Sequence, residues 1–191
     1  MIPLQGNWLA GLAFDLHTTE SVHLGVDENG KGRFENKYTE MGELVHRLKY
    51  KNDQKALADI LKLLDRINWR TKVDFIIPIP PTDQTRSFQP VAEIANGLGL
   101  RLGIPVLTQT LIKTSGGKQL KAIADPEERE LTLRDSMKVH DTPLLQGKSV
   151  LLVDDLYRSG ATMRIATDLL MKVAKVRVVS VLTMTRTRSH R

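Results

Sequence analysis

Val-Leu-Leu-Val-Asp-Asp-Leu-Tyr-Arg-Ser-Gly-Ala-Thr occupies residues 150–162, and the architecture of the chain can be worked out from this run. Four apolar residues without alternation predict a strand that is buried on both faces. Two acids end the predicted strand, a short polar loop with one glycine follows, and a helix is predicted from Ala161 onwards. The run therefore predicts a strand–loop–helix unit of a parallel sheet, with its polar loop at the carboxyl end of the strand.

The sequence on either side extends this pattern. Strands and helices alternate through the second half of the chain, which favours an α/β protein with a central parallel sheet flanked by helices. The first part predicts β structure over residues 7–34, followed by two helices. The predicted helices cover residues 40–50, 53–67, 90–102, 127–135 and 161–174, and the predicted strands cover residues 73–79, 105–107, 148–153 and 176–184.

The loop after the acidic pair has the chemistry needed to hold a phosphorylated sugar. The first amides of the following helix have no partner within the helix and, with the helix dipole, attract a phosphate. Gly160 allows close approach of the backbone, and the hydroxyls of Ser159 and Thr162 add donors. Asp154 and Asp155 can accept hydrogen bonds from vicinal hydroxyls or hold a positive charge. The structural alternative is a helix cap made by Asp155 or Ser159.

The run resembles the phosphoribosyl-pyrophosphate signature of type I phosphoribosyltransferases, in which an apolar strand, an acidic pair and a Thr/Ser-Gly-Gly/Ala-Thr loop follow one another. Arg158 departs from the threonine that is usual at the first loop position. The resemblance implies a type I phosphoribosyltransferase-like fold. Its core would comprise residues 41–191, and residues 1–40 would form a small N-terminal β/α hood.

Looser similarities point to one branch, the competence protein F (ComF) family. Residues 42–50 are similar to a helix of that family that ends in Leu-Lys-Tyr, and residues 76–80 are similar to its Val-Pro-Val-Pro strand end. Residues 86–89 stand where members often have Arg-Gly-Phe-Asn-Gln, and Gln119 with residues 128–129 is similar to its Gln…Glu-Arg stretch. Members commonly begin with a cysteine zinc ribbon, which this chain lacks because it contains no cysteine.

The resemblance implies a reaction and a set of site residues. The chain would bind 5-phosphoribosyl-1-pyrophosphate (PRPP) with Mg²⁺ and transfer the phosphoribosyl group to an unidentified nitrogenous small molecule, releasing pyrophosphate. Asp154 and Asp155 would be the catalytic carboxylates and the metal ligands. The 5-phosphate would be bound by Arg158, Ser159, Gly160, Ala161 and Thr162.

A second group of residues is expected at the pyrophosphate. The turn after the strand at residues 73–79 should lie at the same sheet edge as the acidic pair. Residues 113–126 match the position of a mobile lid that closes over the leaving group, with further charge from Lys121 and Arg129. For each basic residue, the alternative is a solvated surface position. The expected pyrophosphate-binding residues are Pro80, Pro81, Arg86, Lys113 and Lys118.

Composition narrows the class of protein and its partners. The chain has 191 residues, 41% of them hydrophobic, which is enough for one core, and the absence of cysteine excludes disulfides and thiolate catalysis. The absence of cysteine also fits a reducing compartment, and we expect a cytoplasmic protein without a membrane segment.

The net charge of +6 favours anionic partners, including nucleic acid, although no motif indicates nucleic acid. Proteins of the type I fold are often dimers, so a homodimer is expected.

Other readings of the sequence remain open. The chain is alternatively a PRPP-binding regulator without turnover, or an accessory protein of competence and DNA uptake. The glycines of residues 97–103 precede a strand instead of following one, which argues against a dinucleotide site. His17 and His23 are six residues apart without a recognised ligand pattern, so a local structural role is favoured over a metal site.

Overall fold

The computed structural model describes residues 1–27, 30, 32–69, 72–83, 85–113, 137–140 and 142–188. Several expectations lie outside these residues. They are the predicted helix at residues 127–135, most of the predicted lid, and the basic residues Lys118, Lys121 and Arg129.

A five-stranded sheet forms the centre of the molecule, with strand order β1-β2-β9-β8-β5. All neighbours in this sheet are parallel except β1 and β2. Two two-stranded antiparallel sheets, the hairpin β3–β4 and the pair β6–β7, lie outside it. The strands are β1 (Ile2–Pro3), β2 (Ala10–Leu16), β3 (Thr18–Val26), β4 (Gly32–Tyr38), β5 (Phe75–Pro78), β6 (Leu111–Lys113), β7 (Met137–Val139), β8 (Ser149–Tyr157) and β9 (Val178–Arg186).

The helices begin at residues that the sequence marks as helix starts. The Thr39 hydroxyl accepts from the Gly42 amide at 3.0 Å, and the Asp53 carboxylate accepts from the amides of Lys55 and Ala56. Pro90 occupies the first turn of its helix. The helices are α1 (Glu40–Lys51), α2 (Gln54–Leu64), α3 (Pro90–Leu102), α4 (Thr142–Leu145) and α5 (Ala161–Lys172).

The central sheet has an apolar core on each face, because successive side chains of a strand point to opposite sides. In β8, Leu152 packs in the core that contains α5, while Leu151 packs in the core formed with α1, α2 and α3. This double burial explains the unbroken apolar run of β8. The predicted α/β class with a parallel central sheet flanked by helices is confirmed. Within the described ranges, none of the helices combines the length and the apolar character that crossing a bilayer requires.

Several boundaries differ from the sequence prediction, and two of them show why. The strand expected to end at Val153 continues to Tyr157, because β9 runs beside it and pairs with Leu156 and Tyr157. The short strand expected at residues 105–107 is reduced to a single parallel bridge between Ile76 and Val106.

The predicted division at residue 40 does not follow the sheet. Strand β2 pairs in parallel with β9 from Ala10 to Leu16 and with β1 on its other side, so both of these N-terminal strands belong to the central sheet. The hairpin β3–β4 is the part of residues 1–40 that lies outside it, and it is exposed along most of its length. A hood function for this hairpin stays a prediction.

Candidate functional site

The polar residues of the site follow strands that end at one edge of the sheet. In a parallel sheet the carboxyl ends of all strands lie at the same edge. Strand β8 brings Asp154 and Asp155 there, β5 brings the turn that contains Pro80, and β9 brings Thr185. Strand β2, parallel to β9, brings His17 to the same edge.

A cleft of about 990 Å³ opens at this edge. It lies between the end of β8, the turn after β5, the start of α3 and the end of β6. Eight of the residues expected in the site line it, namely Asp154, Asp155, Arg158, Thr162, Pro80, Pro81, Arg86 and Lys113. Ser159, Gly160 and Ala161 are not part of its wall, although they connect two residues that are. The roles assigned to these residues stay predictions.

The two aspartates face different partners because they are neighbours in a strand. Asp155 continues the face of Leu151 and Val153, which α1 covers, and its Oδ2 accepts a hydrogen bond from Lys49 Nζ at 2.6 Å. Its side chain is 12% exposed. Asp154 lies on the other face, is partly buried, and its Oδ1 accepts from the Asp155 amide at 2.8 Å. Both aspartates line the cleft, and Asp155 is the one that is bound to a lysine.

The electrostatics of the pair are set by burial and by its lysines. Burial and the adjacent Asp155 raise the pKa of Asp154 to about 8, against the opposing effect of Lys113 and Lys49. Burial also lowers the pKa of Lys113, while Asp154 and Asp155 act to raise it. Asp154 therefore holds its proton more tightly than an exposed aspartate does, and a cation that enters the cleft would favour its ionised form.

The loop after β8 has a backbone that only glycine can adopt comfortably. Gly160 has φ of +78°, and a Cβ at this position would lie 2.3 Å from the Tyr157 hydroxyl. Gly160 is also the N-cap of α5, and the Ala161 amide donates a long hydrogen bond to the Ser159 hydroxyl at 3.5 Å. Arg164 Nη1 donates to the Ser159 carbonyl at 3.0 Å and fixes the loop. The first amides of a helix can bind an anion, and the role of the start of α5 in binding a phosphate stays a prediction.

The turn after β5 is organised by its own polar side chains. Asp83 accepts hydrogen bonds from the Thr85 amide at 3.1 Å, the Thr85 hydroxyl at 2.6 Å and Arg86 Nε at 3.2 Å. These bonds, first of all that of the Thr85 hydroxyl, lower the pKa of Asp83. Lys113 Nζ donates to the Thr82 hydroxyl at 3.3 Å across the cleft. Arg86 of the turn and Lys113 of β6 are thus two cationic side chains that line the cleft.

Lys49 is a site residue that the sequence analysis did not assign. It lies in the last turn of α1 within the Leu-Lys-Tyr segment, lines the cleft and contacts Asp155. The similarity of residues 42–50 to a ComF helix was the available signal. A helical lysine is otherwise indistinguishable from a surface lysine in a single sequence.

His17 lies nearer the site than a local structural role implies. Its Nδ1 is 3.1 Å from the Thr185 hydroxyl, which donates to the Asp155 carbonyl oxygen at 3.1 Å. That hydroxyl has one proton and gives it to Asp155, so His17 Nδ1 is the donor of the pair. Burial lowers the pKa of His17, which favours the neutral imidazole. His23, in contrast, packs against Phe34 in the exposed hairpin.

A magnesium ion would find few protein ligands here. Among the residues described, no group of three or more histidine, cysteine, aspartate or glutamate side chains is gathered as an all-protein metal site would require. Mg²⁺ commonly binds through one or two carboxylates together with phosphate oxygens and water. Both carboxylates line the cleft; Asp154 fits this kind of ligand set, and Asp155 fits it less well because Lys49 already contacts it.

A family model described as "Phosphoribosyl transferase domain" matches residues 46–191, more than half of the chain. No curated protein matches the sequence. Among solved structures, the chain is similar to the adenine phosphoribosyltransferase of Thermoanaerobacter pseudethanolicus, with 17% identity over 87% of this chain and 94% of that one and a TM-score of 0.45.

Two further structures are similar over less of their own length. The adenine phosphoribosyltransferase of Leishmania donovani has 15% identity over 79% of this chain and 58% of that chain, with a TM-score of 0.46. A structure described as the allosteric regulatory enzyme of purine biosynthesis has 21% identity over 67% of this chain, with a TM-score of 0.43. The present chain spans 24% of the length of that enzyme.

Proposed function

Because this chain belongs to the phosphoribosyl transferase domain family, we propose that it binds PRPP in the cleft and transfers the phosphoribosyl group to a nitrogenous acceptor with release of pyrophosphate. The observation that carries the proposal is the meeting of three features at one sheet edge. They are the acidic pair of β8, the amide-presenting start of α5, and the cationic wall formed by Arg86 and Lys113.

The three features match the three parts of the substrate. The 5-phosphate would lie at the start of α5, where backbone amides and the hydroxyl of Thr162 can donate to it. The ribose hydroxyls would donate to the carboxylate of Asp154, which lines the cleft between the other two features. Arg86 and Lys113 would bind the pyrophosphate. A magnesium ion, when bound with the substrate through Asp154, would neutralise part of the negative charge of the pyrophosphate.

The site residues support a displacement at ribose C1. A nitrogen of the acceptor forms a bond to C1 as the bond from C1 to the pyrophosphate oxygen breaks, and the electron pair leaves with the pyrophosphate. Positive charge then develops on the ribose, where Asp154 and Asp155 stabilise it. Negative charge develops on the leaving group, where Arg86 and Lys113 stabilise it. Both sets of charges are held in place before the reaction by the folded strands and turns.

Finer parts of the proposal rest on the sequence resemblances. We place the chain in the ComF-like branch because of residues 42–50, 76–80 and 86–89. Lys49, in the first of these segments, lines the cleft. A cytoplasmic location, a homodimer and a small-molecule acceptor are parts of the same proposal. The acceptor would enter from the side of the hairpin β3–β4.

Calorimetry with PRPP and Mg²⁺ tests the proposal. We expect binding by the native chain and a loss of at least about 100-fold in affinity for Asp154→Asn/Asp155→Asn, because two carboxylate contacts are removed. Asp65→Asn is the matched control, since Asp65 pairs with Arg101 far along α3. Pyrophosphate release on addition of a panel of nitrogenous bases supports transfer. Binding without release for every acceptor supports the regulator, and the absence of PRPP binding contradicts the proposal.

A further inference from the structure

Lys49 and Asp155 form an ion pair at the base of the cleft. The ammonium nitrogen lies 2.6 Å from Asp155 Oδ2, and the two side chains are 33% and 12% exposed. A pair this sheltered is more strongly coupled than an exposed surface pair, because less water screens the charges. Removing one partner leaves the other charge partly buried without its counter-ion.

Both members of the pair lie on elements that are fixed by buried packing and hydrogen bonds. Helix α1 is capped by Thr39 and packs into the core through the neighbouring Leu48, whose side chain is fully buried. Asp155 lies within β8, and the Thr185 hydroxyl donates to its carbonyl oxygen. The lysine is therefore directed at the carboxylate by the fold, and the contact does not depend on a mobile loop.

The alternation of side chains along β8 divides the acidic pair. Asp155 lies on the face that α1 covers, where Lys49 meets it, and Asp154 lies on the face of Leu152, although both carboxylates line the cleft. Asp155 therefore carries a resident cation from the protein. Asp154 remains as the carboxylate for the incoming substrate.

We propose that Lys49 is a positioning residue that holds Asp155 in place as a charge-balanced carboxylate and keeps divalent cations off the acidic pair until the substrate brings its pyrophosphate oxygens. This inference rests on the proposed function for the identity of the substrate. Two adjacent carboxylates would otherwise attract a hard cation directly. With Asp155 engaged by Lys49, a cation at Asp154 needs its remaining ligands from a phosphorylated compound or from water.

The first experiment counts bound Mn²⁺ by electron paramagnetic resonance in the absence of any substrate. We expect the native protein to bind Mn²⁺ at least about tenfold more weakly than Lys49→Met, because removal of the ammonium group exposes two carboxylates to the ion. Lys49→Met/Asp155→Asn should lose the binding that Lys49→Met gained. Lys51→Met, an equal loss of charge in the same helical turn, should behave as the native protein does.

The second experiment measures PRPP affinity, kcat and KM for the same variants. We expect Lys49→Met to raise KM and the PRPP dissociation constant about tenfold, and Lys49→Arg to stay within about threefold of the native values, because arginine keeps the charge at Asp155. Melting temperatures identify any variant that is misfolded, and Lys49→Arg then carries the test by its Mn²⁺ binding, which should remain as weak as in the native protein.

The outcomes separate this inference from the proposed function. Equal Mn²⁺ affinity of the native protein and Lys49→Met overturns the role of Lys49, whatever the substrate is. Absence of PRPP binding by the native protein overturns the proposed function and leaves the Mn²⁺ comparison to decide the role of Lys49. An equal, tenfold loss of PRPP affinity in Lys51→Met and Lys49→Met also overturns the role of Lys49, because a general loss of positive charge would then explain the effect.

Discussion

Two strand–loop–helix units of the same sheet build the cleft in different ways. In the β8–α5 unit the functional groups belong to the strand itself and to the first turn of the helix. In the loop between them, Gly160 lies directly against the side chain of Tyr157. In the β5–α3 unit the strand ends early, and an exposed turn is shaped by hydrogen bonds from Asp83 to Thr85 and Arg86. The first unit is fixed by backbone and core packing, and the second by polar side chains at the surface.

The difference suggests a division between rigid and adaptable parts of the site. The acidic pair cannot move without disturbing β8, which is buried on both faces. Arg86, in contrast, can exchange Asp83 for a ligand oxygen at little cost, because an exposed ion pair contributes little net stability. Substitutions in the β8–α5 unit should therefore have larger effects than substitutions in the β5–α3 unit.

Gly160→Ala should have the largest effect. A Cβ would lie 2.3 Å from the Tyr157 hydroxyl and would impose a strained φ of +78°. The loop must shift, and we expect PRPP affinity to fall by about 100-fold in calorimetry, as a displacement of about 1 Å can produce. Gly103→Ala is the matched control, since Gly103 also has positive φ but has nothing within 4 Å of the added Cβ. Equal binding losses in the two variants would contradict the role of the loop.

Arg86→Ala should have an intermediate effect. Loss of one exposed cationic contact should weaken the binding of pyrophosphate and of PRPP about tenfold, or about 1.4 kcal/mol, while ribose 5-phosphate binding should not change. Competition titrations with the three compounds measure the difference. Arg101→Ala, which removes a similarly exposed arginine paired with Asp65, serves as the control. A parallel loss of ribose 5-phosphate binding would place Arg86 elsewhere in the site.

Apart from the loss of PRPP binding expected at this residue, Asp154→Asn should have a small effect on stability, and that effect should be favourable. The pKa of Asp154 is raised from 3.8 to about 8, so the folded protein holds this proton more tightly than the unfolded chain does. Stability from this group is therefore complete below pH 4 and is lost as pH rises towards 8. Asparagine does not ionise, so the variant does not lose stability in this way and should be more stable than the native protein by about 1–2 kcal/mol at pH 9. This value is smaller than the full pKa shift would give, because Asp154 is in contact with water in the cleft.

Urea unfolding at pH 5, 7 and 9 measures this difference in the free energy of unfolding. The gap between Asp154→Asn and the native protein should widen with each step. Asp65→Asn, which changes an exposed carboxylate, should show no widening. A constant gap would mean that Asp154 titrates near its ordinary value in the folded protein.

The sequence predicted the elements of the core well, because local signals determine them. Helix α3 begins and ends at the residues expected from Pro90 and the glycine that follows Leu102, and α1 differs from its prediction by one residue. The strand–loop–helix unit around the acidic pair was also recognised. Both results follow from hydrophobic periodicity and from the particular backbone preferences of proline and glycine.

What the sequence did not reveal depends on contacts between distant parts of the chain. The extension of β8 to Tyr157 requires β9, and the place of residues 10–16 in the central sheet requires the same partner. The contact between Lys49 and Asp155 spans 106 positions of sequence. No local pattern distinguishes such a lysine from a solvated one, and no periodicity tells a strand which neighbour it will have.

The parallel pairing of β2 with β9 has a practical consequence for anyone who shortens this protein. The family match begins at residue 46. A fragment that starts there would lack β2 and would leave β9 as an edge strand with unpaired backbone amides and carbonyls. Exposed edge strands pair with strands of other molecules, so the fragment would tend to aggregate. Strand β2 thus protects the edge of β9 from pairing between molecules.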